Sequence, residues 1–135
     1  MAAAKDVARE ALLERLTNRQ KNVVTSDQRR VLVVAGAGSG KTEVMARRVA
    51  WWVAVKSVPR SAIVAFTFTE KAAEEMKFRI RSQVQRVTKD DGASILGGMY
   101  VGTIHSFCLK ALRELRPDVY HNFDVIDDAA RIALV

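Results

Sequence analysis

The sequence predicts an α/β fold in which helices flank a parallel sheet. Short apolar runs alternate with longer amphipathic segments along the 135 residues. A glycine-rich turn ending in Lys41 and Thr42 follows the first apolar run and precedes an amphipathic segment. This is the strand–loop–helix order of a phosphate-binding P-loop. Strands that alternate with helices pair in parallel through right-handed crossovers, so these observations together predict the fold class.

Two helices and a strand are predicted ahead of the glycine-rich loop. Residues 4–16 mix Ala and Leu with charged side chains, and a second short helix begins near Thr17. Residues 31–35 are predicted to form a buried strand, because a short apolar run between polar segments is typical of a parallel sheet. After the loop, a helix is predicted over 41–56, and it ends before Pro59.

The alternation continues to the end of the chain. The further predicted elements are a strand at 62–66, a helix at 70–87, a strand at 99–103, a helix at 105–115, a strand at 123–126 and a helix capped by Asp127. The helix at 70–87 has apolar residues on one face. It carries acidic residues in its first turn and arginines later, an order that suits the helix dipole. Pro117 ends the helix at 105–115.

Composition narrows the classes of function. No apolar run approaches the ~20 residues of a membrane span. The charged N-terminus lacks the core of a signal peptide, so a cytoplasmic protein with no membrane partner is predicted. The single Cys108 excludes an internal disulfide, and with only two histidines a zinc site is not expected. The net charge of +7 fits either a solvated basic surface or a polyanionic partner.

The loop at 35–42 is predicted to bind the phosphates of ATP. Its glycines let backbone N–H groups turn toward phosphate oxygens, and the start of the following helix adds a positive field. As catalytic residues, Lys41 is predicted to reach the β- and γ-phosphates and Thr42 to hold Mg²⁺. The first position of G-x-x-x-x-G-K-[ST] is Ala35 here. The predicted nucleotide contacts are Ala35, Gly36, Ala37, Gly38, Ser39, Gly40, Lys41, Thr42 and Glu43.

Four segments, in this order, resemble the N-terminal part of UvrD/Rep-type DNA helicases. They are Leu16-Thr-Asn-Arg-Gln20, Ala35-Gly-Ala-Gly-Ser-Gly-Lys-Thr42, Ala65-Phe-Thr-Phe-Thr-Glu-Lys-Ala-Ala73 and Val101-Gly-Thr-Ile-His-Ser-Phe107. The resemblance begins near Leu13 and reaches the end of the chain. It implies a RecA-like P-loop NTPase fold, present as a partial domain. Residues 1–116 would form an incomplete ATP-binding subdomain, and 117–135 would begin an inserted helical subdomain.

The resemblance also implies an activity for the parent protein. That protein would couple ATP hydrolysis to 3′ to 5′ translocation on single-stranded DNA and to unwinding at a duplex junction. Asp124, Asp127 and Asp128 resemble a Mg²⁺-holding Walker B strand end only superficially, and no arginines of a second domain are present. The 135-residue chain alone is therefore expected to be catalytically inactive. It is also expected to expose apolar surface and to dimerise or aggregate.

Carried over by position, the resemblance assigns ligand contacts outside the loop. Gln20 would read the adenine edge, although Thr17 and Gln20 also have the spacing of a capping box. Phe68 would stack on a DNA base, although the residues alone also fit a core side chain that anchors the loop. The implied DNA-binding residues are Thr67, Phe68, Thr69, Gly102, Thr103 and His105. Glu70 stands where the family often has Asn, and it is predicted to serve the start of its helix.

Other interpretations of the sequence remain open. The same motifs are similar to the helicase subunits of RecB/AddA-type helicase–nucleases. A non-catalytic P-loop module that binds nucleotide or nucleic acid would also lack a Walker B motif. A small-molecule kinase would not explain the segments after the second and third strands. Among the remaining side chains, Trp51 and Trp52 are predicted to lie in the core, and Cys108 to be buried.

Overall fold

A computed structural model describes residues 2–88 and 95–123, which form parts of two compact units, 1–103 and 104–135. The first unit contains α1 (Ala2–Leu13), α2 (Asn18–Thr25), α3 (Lys41–Ala54), a 3₁₀ turn (Arg60–Ala62), β1 (Val64–Thr67), α4 (Glu70–Val87) and β2 (Tyr100–Thr103). The second unit contains α5 (Ile104–Leu115) and α6 (Pro117–Tyr120). The predicted helices are thus confirmed wherever the structure describes the chain. The predicted strand at 123–126 and the helix from Asp127 fall almost wholly on 124–135, outside the described residues.

The sheet consists of two parallel strands. β1 and β2 pair in register from Val64 opposite Tyr100 to Thr67 opposite Thr103, and α4 connects them. This confirms the predicted parallel α/β arrangement for the second and third strands. The predicted strand at 62–66 begins two residues too early, because a 3₁₀ turn follows Pro59 and occupies the chain up to Ala62.

The core of the first unit lies where α3 packs against α4 and where α1 and α2 pack against α3. Ala46 on α3 and Ala73 on α4 are completely buried, and such small side chains allow two helices to approach closely. Ile80 and Val84 extend the buried face along α4 with helical spacing. This packing holds α3, and with it the loop that precedes α3, against the helix that follows β1.

The strand predicted at 31–35 does not form, and this prediction was wrong for the structure. Leu32 and Val34 are 90% and 89% exposed, whereas Val31 and Val33 are 41% and 43% exposed. Exposure therefore alternates with the period of two that an extended chain gives. Among the described residues the sheet contains only β1 and β2, so this segment has no neighbouring strand to satisfy its backbone groups.

Two other burial predictions need correction. Trp51 is buried as predicted, but Trp52 is 37% exposed, and the guanidinium of Arg48 lies over its ring at 5.4 Å. Cys108 is exposed, and no residue of α5 is buried. In the part of the chain that the structure describes, no helix has both the length and the apolar character that crossing a bilayer requires.

Candidate functional site

The glycine-rich loop leads directly into α3. Gly38 and Gly40 have φ angles of 74° and 81°, in the left-handed region that glycine adopts without strain. Gly40 is the N-cap residue of α3, and no side chain caps the helix there. The first N–H groups of α3 and the positive end of its dipole are therefore available to an anion, as the sequence predicts for a phosphate loop.

Lys41 folds back over the loop in this structure. Its Nζ donates hydrogen bonds to the carbonyl oxygens of Ala35 at 2.9 Å and Gly36 at 2.6 Å. The Ser39 hydroxyl also donates to the Gly36 carbonyl, at 2.7 Å. The ammonium group is therefore bonded to the loop's own carbonyl oxygens. A phosphate would compete with these carbonyl oxygens for the donors of Lys41.

Gln20 joins α2 to the loop. Its Oε1 accepts from the Thr17 backbone N–H at 2.9 Å, and its own backbone N–H donates to Thr17 Oγ1 at 3.3 Å. The capping box that the spacing predicted is thus confirmed. In addition, Gln20 Nε2 donates to the Ser39 carbonyl at 3.1 Å, which ties the start of α2 to the phosphate loop. Contact with adenine, the other interpretation of Gln20, stays a prediction.

A cavity of about 510 Å³ opens between α2, the segment before the loop and the start of α3. Five of the predicted nucleotide contacts line it: Gln20, Ala35, Gly36, Ser39 and Lys41. Its apolar wall contains Val23, Val33, Val34, Val44 and Met45. A cavity of this size with an apolar wall and a few convergent polar groups is typical of small-ligand sites. The sequence reasoning missed Val23, although it lies three residues after Gln20 and hence on the same face of α2.

Thr42 and Glu43 belong to the first turn of α3 and do not line the cavity. The carboxylate of Glu43 is directed into the helix layer, where Arg47 and Gln83 both donate to its Oε1. Any contact of Glu43 with a nucleotide would therefore use its backbone. Within 2–88 and 95–123, no three His, Cys, Asp or Glu side chains come together as a metal site would require. The assignment of Mg²⁺ to Thr42 stays a prediction.

The residues after β1 form a second candidate site. Phe68 is 98% exposed, so the alternative that it is a core residue was wrong. Thr69 is the N-cap of α4, and its hydroxyl accepts from the Ala72 N–H at 3.1 Å. The Thr67 hydroxyl donates to the Thr69 carbonyl at 3.1 Å. Intramolecular bonds thus fix the turn and leave the aromatic ring in solvent.

The ends of β1 and β2 meet at the same edge of the sheet. Thr103 lies directly opposite Thr67, and only 6% of Thr103 is exposed. Its hydroxyl donates to the Glu70 carboxylate at 3.0 Å, which joins β2 to the first turn of α4. Glu70 therefore serves the helix start as predicted. In parallel sheets, ligands bind at the carboxyl ends of the strands, and this is the end that Thr67 and Thr103 occupy.

Gly102 is buried in β2, and a Cβ built there would lie 2.7 Å from the hydroxyl of Tyr100. Only glycine therefore fits without moving that ring. His105 lies on α5 in the second unit, where it is exposed. The predicted DNA-binding residues of the first unit are thus Phe68, whose ring is in solvent, three hydrogen-bonded threonines, and a glycine required by packing. Thr67 and Thr103 lie at the strand ends, and Thr69 caps α4.

Arg47 and Arg48 of α3 are functional candidates that the sequence reasoning missed. Arg48 donates to the carbonyl oxygens of Val23 and Val24 at the end of α2, and burial lowers the pKa of its guanidinium. Arg47 lies three residues after Val44 and four before Trp51, both buried. Helical spacing therefore places Arg47 on the core face of α3. A charged residue at such a position was the feature of the sequence that could have identified it.

The fold and the site together define a class of protein. A helix that begins directly after a Gly-x-Gly-Lys-Thr loop, in an α/β unit with parallel strands, is the arrangement of nucleotide-binding α/β proteins. The family model described as the UvrD/REP helicase N-terminal domain matches residues 16–135. The chain belongs to this family.

Individual relatives agree with the family. The chain is 38% identical over 126 residues to DNA helicase II of Haemophilus influenzae, a match that covers 92% of this chain and 17% of that protein. It is 42% identical over 119 residues to the ATP-dependent DNA helicase UvrD1 of Mycobacterium leprae, covering 86% and 14%. It is 37% identical over 119 residues to the ATP-dependent DNA helicase PcrA of Staphylococcus aureus, covering 87% and 15%. The chain thus spans less than a fifth of the length of these relatives.

Proposed function

We propose that this chain is the ATP-binding N-terminal part of a DNA helicase with a RecA-like P-loop fold. The parent protein would use ATP and Mg²⁺ to translocate 3′ to 5′ on single-stranded DNA and to unwind duplex at a junction. Residues 1–116 would form the incomplete ATP-binding subdomain, and 117–135 would begin an inserted helical subdomain. Family membership supports the reaction class. The observation that carries the proposal is the cavity where Gln20, the glycine-rich loop and Lys41 converge.

Nucleotide recognition would use the cavity and the loop in different ways. The apolar wall suits a base, and the amide of Gln20 offers a donor and an acceptor to the adenine edge. The loop N–H groups and the start of α3 would hold the phosphates, with contacts from residues 35–43. Lys41 would transfer its donors from the carbonyls of Ala35 and Gly36 to phosphate oxygens. Thr42 would hold Mg²⁺, which neutralises phosphate charge when bound.

Single-stranded DNA would bind at the edge where β1 and β2 end. Phe68 would stack on a base, which requires the solvent exposure that the ring has. Thr67, Thr69, Gly102 and Thr103 would line the path of the strand. His105, which belongs to the second unit, would be a separate DNA contact. The net charge of +7 over the whole chain favours a polyanionic partner. The chain by itself would turn ATP over negligibly, because its sequence offers no convincing Walker B Asp-Glu pair to hold Mg²⁺ and activate water.

The experiment that tests the nucleotide site is binding of a fluorescent ATP analogue in the presence of Mg²⁺. Lys41→Ala should raise Kd by roughly 10- to 150-fold, since a hydrogen bond to a charged group contributes about 1.5–3 kcal/mol. Lys110→Ala makes the same charge change on α5 and should bind like the unmodified chain. Equal affinity of all three proteins would refute the phosphate loop as the site.

Fluorescence anisotropy of a labelled dT oligonucleotide tests the DNA site. Phe68→Ala should weaken binding by about 1–3 kcal/mol, or roughly 5- to 150-fold in Kd, through lost stacking. The matched control is Phe78→Ala, which removes another exposed ring, 71% accessible on α4. The affinity of the unmodified chain should fall as salt rises. If both variants weaken binding equally, stacking on Phe68 is not the cause.

A further inference from the structure

The carboxylate of Glu43 joins two helices, α3 and α4. Its Oε1 accepts from Arg47 Nε at 2.7 Å and from Gln83 Nε2 on α4 at 2.8 Å. Its Oε2 lies 3.6 Å from a guanidinium nitrogen of Arg79, also on α4. Glu43 follows Lys41 by two residues, so these contacts hold the same helical turn that carries the predicted phosphate-binding lysine.

Arg47 extends this junction to the segment before α2. One of its guanidinium nitrogens donates to the carbonyl oxygens of Leu12 at 3.0 Å and Glu14 at 2.8 Å. These carbonyls belong to the end of α1 and to the turn that leads into Thr17. Arg47 is only 9% exposed, so the bonds are shielded from water. The side chain therefore fixes the entry to α2, where Gln20 lies, relative to the first turn of α3.

Gln83 attaches α4 to the same carboxylate. The residue is 9% exposed, and its Oε1 is buried without a hydrogen-bond partner. A buried amide with one unpaired oxygen is unfavourable, so its bond to Glu43 is the polar interaction that compensates for its burial. Turning the amide over would place the oxygen against a carboxylate, which fixes the direction of the bond. α4 begins at the turn that presents Phe68.

We propose that Gln83 and Arg47 are positioning residues, which hold Glu43 and thereby couple nucleotide binding to single-strand binding. This inference rests on the proposed function. When Lys41 leaves the loop carbonyls for a phosphate, the first turn of α3 adjusts, and the Glu43 carboxylate moves with it. The two buried donors pass that movement to α4 and to the segment before Gln20. The affinity for one ligand then depends on whether the other is bound.

The test is a coupling factor measured on the 135-residue chain. Kd for the fluorescent ATP analogue is determined with and without saturating dT oligonucleotide, and Kd for the oligonucleotide with and without the analogue. The two ratios must agree for an equilibrium coupling. The unmodified chain should give a ratio of about fivefold or more. Gln83→Met, which keeps the length of the side chain but removes the amide, should bring the ratio below about twofold. Gln85→Met, the same change at an exposed position of α4, should leave it intact.

Several outcomes separate this inference from the proposed function. If the unmodified chain binds neither ligand, the proposed function fails and this inference fails with it. If it binds both ligands without coupling, or if Gln83→Met couples as the unmodified chain does, the inference alone is overturned. A purely structural role for Gln83 would lower the thermal midpoint and leave the coupling unchanged. Should Gln83→Met not fold, Gln83→Asn retains the amide at a length too short for Glu43 and carries the same expectation.

Discussion

Replacing Arg47 by Met should destabilise the first unit strongly. The change keeps most of the side-chain volume but removes three hydrogen bonds, to Glu43 Oε1 and to the carbonyls of Leu12 and Glu14. Removing one partner of a fully buried ion pair costs about 3–5 kcal/mol. Here 28% of the Glu43 side chain is exposed, and the carboxylate keeps its contacts with Gln83 and Arg79 after the change. The expected loss is therefore at the lower end, about 3 kcal/mol.

Urea unfolding followed by tryptophan fluorescence measures this loss. The two tryptophans, Trp51 and Trp52, both lie on α3, so the signal reports on the first unit alone. With a slope of about 1.5 kcal/mol/M, a loss of about 3 kcal/mol lowers the midpoint by about 2 M. The matched control is Arg15→Met, because the Arg15 side chain is 88% exposed and its ion pair with Glu14 is at the surface. That variant should change stability by less than about 1 kcal/mol. A loss of under about 1 kcal/mol for Arg47→Met would refute the account of the buried junction.

Three further predictions concern the loop, the surface and pH. Gln20→Glu should keep the capping box but lose the donor to Ser39, so ATP-analogue affinity should fall while helicity by circular dichroism stays constant. The chain should self-associate through its exposed apolar segment, and Leu32→Lys should shift light scattering toward the monomer; a clean monomer before substitution contradicts this. The Lys77 ammonium lowers the pKa of Glu74, so the pair stabilises above the unfolded glutamate pKa of about 4.3 and is lost as pH falls through the lower folded value. Glu74→Gln should flatten that part of the stability profile, and an unchanged profile would exclude the pair.

Local signals predicted part of the fold well. The apolar residues of α4 recur with helical spacing over 18 residues, and the structure has this helix at the predicted bounds. The segment at 31–35 consists entirely of apolar residues, yet it is not a strand here. A helix satisfies its backbone within itself, whereas a strand requires a neighbour, and that neighbour is not among the described residues.

In the candidate site, too, local features were predicted and contacts between distant residues were not. The capping box joins Thr17 to Gln20, three residues apart, and its spacing was sufficient to predict it. The hydrogen bond between Glu43 and Gln83 joins residues 40 positions apart, and no periodicity in the sequence predicts it. The exposure of Phe68 also depended on the tertiary structure, because residue type alone does not decide whether a phenylalanine lies in a core or on a surface. Local chemistry was therefore predictable, and contacts between distant helices were not.

The exposed segment before the loop has a consequence for the strength of ligand binding. The glycine-rich loop is attached to a packed helix at Lys41, but the residues on its other side, including Leu32 and Val34, belong to no sheet. Holding one residue in a single backbone conformation costs about 1–2 kcal/mol. If nucleotide binding orders this segment, that cost reduces the net free energy of binding. A strand laid alongside residues 31–34 would order them beforehand. It would thus tighten nucleotide binding without touching the nucleotide.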